Sequence, residues 1–315
     1  MSKAETFWLR LWRWLVNDER AFADLDASGG ARLDWLRVAP FVAMHLACVA
    51  VVQVRSSVIA VIVALALYVL RMFFVTAFFH RYFAHRAFRT SRSMQFAMAV
   101  LACTAGQRGP LWWAGHHREH HIYSDTEGDP HSPAHRGFLF SHALWFLTRE
   151  SFATPADRVR EWLRYPELRW LERMDWIPFV TLAAACWGLG TWLESAAPQL
   201  ATNGPQMLVW GFFVSTVALY HATFTINSLA HRFGRRRYPT RDNSRNNVWL
   251  ALITLGEGWH NNHHRYPAAA RQGFVWWEVD LAFQGLRLMA VLGLVRDLRP
   301  VPAHVLAGAR PGKVV

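Results

Sequence analysis

The chain has 315 residues, 53% of them hydrophobic, with 17 Trp and 21 Phe, and a formal net charge of +12. That length would accommodate about two soluble domains, but so apolar and aromatic a composition points instead to a membrane protein. Nucleic-acid binding is excluded as the meaning of the charge: the arginines are spread over loops between apolar runs and are not interleaved with aromatics on one face.

In chain order, residues 1–38 form a charged segment that opens with a Trp- and Arg-rich stretch, Phe7 to Leu15, expected to lie as a helix along the membrane interface. Residues 17–38 read as a polar connector, and residues 1–38 as a whole are too charged to supply the apolar core of a cleavable signal peptide. Two apolar runs follow, 39–54 and 57–79, the second interrupted by Arg71, and they predict a helical hairpin joined at Arg55 and Ser56. A second pair is expected over 176–200 and 205–227, parted by the helix-breaking Ala201 to Pro205.

Lys and Arg crowd residues 1–38, 81–173 and 232–245, whereas none lies between Asp175 and Leu208. The positive-inside rule therefore puts both termini on the cytoplasmic side, with Arg55 as a weak exception. The block 86–175 contains a stretch, Met94 to Ala105, that is apolar but too short to span, and Asn246 to Leu255 has the same re-entrant or interfacial character. Gly273 to Leu294 carries Glu278, Asp280 and Arg287 and reads as an amphipathic surface helix. Residues 39–298 then make one domain, and 299–315 a loose tail. Cys48, Cys103 and Cys186 show no CxxC spacing and read as core residues.

The histidines are the chemistry. Nine fall into an H-x4-H pair, His80 and His85, two H-x2-H-H boxes, His117/His120/His121 and His260/His263/His264, and a single His231 four residues after Asn227. Imidazole without thiolate is a nitrogen-rich donor set, and nine donors exceed what one first-row ion accepts, so two ions with open positions are expected. Positions i, i+3 and i+4 share a helical face, so each box is expected to converge on one pocket. His80 and His85 stand about 140° apart on an ideal helix and are expected to meet only where the helix unwinds. Asn227 is an amide, not an imidazole, and could hold a metal-bound water instead of binding directly.

His45 and His221 lie within spans and read as packed helix residues, with His221 also a candidate support for a ligand. His116 would point away from the box beside it, His131, His135 and His142 are loop or support candidates, and His304 belongs to the tail. Ligating imidazoles need their other nitrogen held, and Asp129, with Asp125, Glu127 and Glu257, is placed to do so. Phe78, Phe79 and Trp112 are bulky candidates for shaping a substrate tunnel. There is no G-x-S-x-G and no reactive Cys with a matched base, so hydrolase chemistry is excluded.

These stretches resemble the membrane fatty-acyl desaturases of the stearoyl-CoA desaturase family, particularly its bacterial members. The likeness lies in residues 80–86, 109–121, 124–132, 137–142, 227–231 and 256–264, and extends over about residues 40 to 295. The resemblance implies an all-α integral membrane fold, with four transmembrane helices in two hairpins and a helical cytoplasmic cap. It implies a di-iron centre on His80, His85, His117, His120, His121, His231, His260, His263 and His264, with Asn227 acting through water. The implied reaction uses O2 to insert a cis double bond, at the ninth carbon, into a saturated acyl chain carried on CoA, in a bacterial inner membrane.

Two electrons must come from a separate donor, a ferredoxin, rubredoxin-like or cytochrome b5-type protein with its reductase. The chain itself has neither a Gly-rich dinucleotide fingerprint nor a His-Pro-Gly-Gly haem signature, so no haem, flavin or nicotinamide site is expected. One departure stands out: vertebrate members carry an Arg-Asp pair that contacts CoA where this chain has Gly115 and His116, which weakens acyl-CoA against acyl-lipid or acyl-carrier substrates. A membrane hydroxylase or ketolase acting on alkanes, sterols or carotenoids is the alternative within the same metal class. A non-enzymatic metal-binding protein or transporter is the distant one.

Overall fold

Four helices among the described residues are long and apolar enough to cross a bilayer: Trp35–Val54, Val58–Ala84, Trp176–Ala196 and Gly204–His231. The computed structural model describes residues 7–17 and 31–308, so residues 18–30 of the expected connector and 309–315 of the expected tail lie outside it. The first span begins four residues earlier than its apolar run because Asp34 caps it, accepting from Leu36 N at 3.1 Å. Its end is a tight turn in which Arg55 adopts φ +59° and Ser57 caps the next span by accepting from Ala60 N. Asn203 and Gln206 cap each other's backbone at the start of the fourth span.

The two hairpin turns meet at one end of the bundle, where Thr202 Oγ1 donates to Ser57 Oγ at 2.7 Å and Trp210 Nε1 to Arg55 O at 2.8 Å. Val42, Leu46, Val49, Val52, Val58 and Ile62 face outward, as lipid-facing side chains do. Arg71, the one charge in the second span's run, is buried and satisfied: its Nη1 donates to Thr216 Oγ1 at 2.7 Å, Nη2 to Ser215 Oγ, and Nε to Leu67 O. An intramembrane charge is tolerable only when so paired.

At the other end the second span neither stops at 79 nor unwinds. From Val75 to Ala84 it widens into a fully buried π-helix. The expected short elements are helices Arg92–Cys103, which packs Ala99, Ala102 and Cys103 against this segment, and Val248–Ile253, capped by Asn247. A two-stranded antiparallel sheet, Arg89–Thr90 with Val295–Arg296, ties the end of the second span to the C-terminal region.

Two expectations are corrected here. Gly273 to Leu294 is not one surface helix: only Leu281–Val291 is helical, because Asp280 caps it by accepting from Phe283 N at 2.9 Å. The preceding acids are buried, not solvated: Asp280 pairs with Arg81 at 2.9 Å, and Glu278 accepts from Asn262 Nδ2 at 2.8 Å. The segment from Arg299 is not loose over its described part: Arg299 N donates to Ala87 O, and helix Ala303–Ala307 buries Val305 beside Tyr238, Ala269 and Phe274.

Candidate metal centre

The nine histidines gather into two groups: His80, His85, His117, His121 and His263 form one, and His120, His231, His260 and His264 the other, with ligand nitrogens within 4.8 Å of one another in each. The π-helix explains the first pair. Its i→i+5 hydrogen bonding, seen as His85 N donating to His80 O at 3.2 Å, sets residues five apart near one another, and the two rings lie 4.9 Å centroid to centroid.

Each H-x2-H-H box is divided between the groups, contrary to the expectation that a box converges on one pocket. His117 and His121, one turn apart, serve the five-histidine group while His120 serves the other; His260 and His264 serve the four-histidine group while His263 crosses to the first. The two short helices, Pro110–Tyr123 and His260–Arg265, therefore lie against both groups and set their spacing.

Glu172, from the helix Pro166–Arg173, holds the first of these: its carboxylate accepts from Leu111 N and Trp112 N, both at 2.8 Å, at an N-terminus that has no side-chain cap of its own. The loop before the second is compressed by glycine. Gly256 adopts φ +131°, and a Cβ on Gly258 would stand 2.0 Å from Ala251 N, so only glycine lets Glu257 reach His80.

The ring nitrogens converge. Nε2 separations are 3.0 Å for His80 and His263, 2.9 Å for His85 and His117, 2.8 Å for His121 and His263, and 3.0 Å for His231 and His260. Nitrogens about 2.1 Å from a shared ion stand about 3.0–3.4 Å apart, so these spacings are close to those of donors around one ion. Carboxylates hold the far nitrogens: Asp129 on His120 at 3.0 Å, Asp125 on His231 at 2.8 Å, Asp242 on His264 at 2.7 Å, and Glu257 on His80. With Nδ1 donating to these acids, the Nε2 lone pairs face each other, and Nε2 of His264 is buried with no partner. Such an arrangement fits a bound cation.

The electrostatics agree. Burial first, then neighbouring imidazoles, push His85, His117, His121, His260 and His263 well below the usual range, and burial takes His264 down to about 4 against the pull of Asp242. They are neutral donors. Burial also opposes a charge on His120, but Asp129 outweighs it and raises that imidazole. Burial opposes ionisation of Asp125 too, yet the His231 hydrogen bond wins and holds the carboxyl down at about 2.

Two cavities adjoin the centre. A small one of about 40 Å³, lined by Asn227, His80, His117, His120 and His260, is large enough for a water. A larger one, about 640 Å³, runs from His117 and Asn227 past Trp112 and Trp145, then between the first, third and fourth spans to Met44, Ala47 and Phe213. Trp14 and Leu15 of the Phe7–Leu15 helix line it, while Trp8 and Trp12 of that helix are exposed.

A family model for fatty acid desaturases matches residues 56–291. The chain belongs to the fatty acid desaturase family. This desaturase is 34% identical to an sn-1 stearoyl-lipid 9-desaturase of Anabaena variabilis, over 85% of this chain and 94% of that one. It is also 34% identical to an sn-2 palmitoyl-lipid 9-desaturase of Nostoc sp. (strain 36), over 69% and 73% of the two chains. An acyl-CoA C20 delta-5 desaturase of Anemone leveillei is 35% identical over 77% and 74%.

Other expected site residues are placed as follows. Trp112 lines the large cavity of the desaturase, whereas Phe78 and Phe79 are fully buried in the core and line neither cavity. Their aromatic bulk serves packing around the π-helix. His221 supports no ligand: it faces His45 and His142, each at 3.0 Å. Glu127 is exposed, and His116 lines the large cavity. Sequence reasoning missed Asp242 and Glu172. An acid lying 22 residues before His264 carries no spacing signal, and neither does a helix cap supplied from another element.

Proposed function

We propose that this desaturase inserts a cis double bond, at the ninth carbon, into a saturated acyl chain lying in the large cavity, using O2 at an iron pair. The observation that carries this reading is the division of nine imidazoles, five buried and four half-buried, into groups of five and four beside a large apolar cavity. The five-histidine group would hold one ion through His80, His85, His117, His121 and His263. The four-histidine group would hold the other through His120, His231, His260 and His264, with Asn227 acting through a water in the small cavity.

When bound, the iron pair supplies the oxygen activation that removes two hydrogens from adjacent methylenes. The chain's own residues position and exclude. Asp125, Asp129, Asp242 and Glu257 fix the tautomer and aim of four imidazoles. Trp113 stacks on His117 at 5.0 Å and, with Thr223 and Ile226, walls the small cavity beside the centre.

The acyl handle is taken to be a membrane lipid ester in preference to CoA. A relative matching most of this chain is named for a stearoyl lipid, and an interfacial helix lines the cavity. The centre faces the cytoplasm of a bacterial inner membrane, where a ferredoxin, rubredoxin-like or cytochrome b5-type donor with its reductase delivers two electrons. Expression in a host lacking unsaturated-acid synthesis, with mass spectrometry of the lipids, tests the reading. A monounsaturated chain with its double bond at carbon nine is expected. A hydroxylated product, or none from protein loaded with two irons and supplied with donor, overturns it.

A further inference from the structure

The large cavity is open on one side, and its lining shows where. Among the described residues that line it, only Pro40, Ala43 and Trp176 are exposed, and all three belong to the first and third spans. The rest are buried or half-buried. The first and third spans both pack on the fourth at Leu208–Val214, so the fourth lies behind them and the cavity fills the gap between them. At its inner end it is closed by Met44, Ala47 and Phe213.

This slot has a definite depth in the bilayer. Trp35 and Trp176, both exposed, begin the two spans that flank it, and indoles so placed sit at the headgroup level. A helical rise of about 1.5 Å per residue puts Pro40 about 7 Å, Ala43 about 12 Å and Ala47 about 18 Å inward of Trp35, against about 15 Å for half of a hydrocarbon core. The slot therefore opens into the acyl chains of the leaflet on the metal centre's side. Pro40, Ala43 and Ala47 carry no side chain long enough to bar it.

The wall changes with depth as a lipid does. Asp175, the Arg108 that pairs with it at 3.3 Å, and Arg37 line the cavity near the span starts, whereas Phe41, Met44 and Phe213 line it further in. The other end of the same cavity reaches His117 and Asn227. One continuous space thus connects the interior of the leaflet with the histidine groups.

We infer that the acyl chain of a glycerolipid enters the cavity sideways from this leaflet, through the slot between the first and third spans, while its ester stays at the headgroup level. The inference rests on the reading of the cavity as the acyl site, and it adds the route and the lipid-borne form of the substrate. A chain that enters this way never leaves hydrocarbon, so its methylenes are at no stage exposed to water. An acyl group carried on CoA would have to join the leaflet before it could use the slot.

The test uses the full-length protein in phospholipid nanodiscs and two photoreactive probes, each with a diazirine on a stearoyl chain. One is a phosphatidylglycerol in the bilayer, the other a CoA thioester added from the water. Labelled positions are mapped by peptide mass spectrometry, which needs no turnover. The glycerolipid probe is expected to label Tyr220 and Phe224, which line the cavity and are buried from the outer surface, more strongly than the CoA probe does. Ala43→Trp fills the slot and should reduce that labelling about tenfold. Leu46→Trp, on the outward face of the same span, should leave it unchanged.

The comparison of the two probes on wild type decides even if Ala43→Trp does not fold. Labelling by the CoA probe equal to or above that of the glycerolipid, or undiminished labelling in Ala43→Trp, overturns the lateral route and leaves the cavity an acyl site filled from the water side. Absence of label at Tyr220 and Phe224 from both probes overturns the acyl-cavity reading as well.

Discussion

The two histidine groups differ in what stands behind them. Among the described residues, only His80 of the five-histidine group has a carboxylate on its far nitrogen, whereas three of the four rings in the other group do, His120, His231 and His264. Carboxylates make imidazole more basic and fix its aim, and they bring negative charge near the ion. The four-histidine group thus makes up in charge and rigidity what it lacks in donors. The five-histidine group instead relies on number and on the buried π-helix that brings His80 and His85 together. Two ions held in these groups would not be equivalent.

The most severe way to break this contrast is to remove one ring from each group. His263→Ala and His120→Ala should each abolish product while the protein remains inserted, with metal content falling from about two ions per chain toward one. Normal activity in either variant would count against the ligand sets. Replacing the supports comes next: Asp129→Asn and Asp242→Asn should each lower affinity for the second ion by about 10–100-fold, measured by competition with a chelator, with the first ion retained. Equal weakening of both ions would show that the groups do not bind independently.

Glu172→Ala should affect both groups alike, because it frees two helix N–H donors beneath a helix that serves each of them. A loss of about 1–3 kcal/mol in unfolding free energy is expected, with metal stoichiometry unchanged. The smallest effect is one of pH. His264, held down to about 4, and His116 and His131, held down to about 3 chiefly by burial, are neutral in the fold. Their folded values lie below the ordinary one near 6.5, so the stabilisation is full above about 6.5 and is lost as pH falls through 4 and then 3. The melting temperature of metal-free protein should decline over that window, and a flat profile would show that these rings are not held neutral.

The histidines that the structure gathers were legible along the chain, but their partition was not. The spacing of His117, His120 and His121 reports a shared helical face, and a face about 100° wide can serve two ions as readily as one. Which ring joins which group depends on the opposing helix, here His260–Arg265, packed against it from the far end of the chain. His80 and His85 misled for a related reason: an α-helical ruler applied to a π-helix gives the wrong angle. Gly273 to Leu294 misled because its acids looked like a solvated face, while Arg81 and Asn262, which neutralise or bind them, lie far away in sequence.

What the amino-acid order determined alone is therefore local and compositional. Four apolar runs of bilayer length, the nine imidazoles, the asparagine beside them and the acids within a few residues of a box all follow from side-chain chemistry and helical period. What only the tertiary structure decided is every relation between distant segments: the five-and-four division, the Asp242 and Glu172 contacts, and the exclusion of Phe78 and Phe79 from the cavity. A cavity and a coordination shell are made of side chains from several elements at once, and their geometry arises from how those elements pack, which no single stretch of sequence encodes.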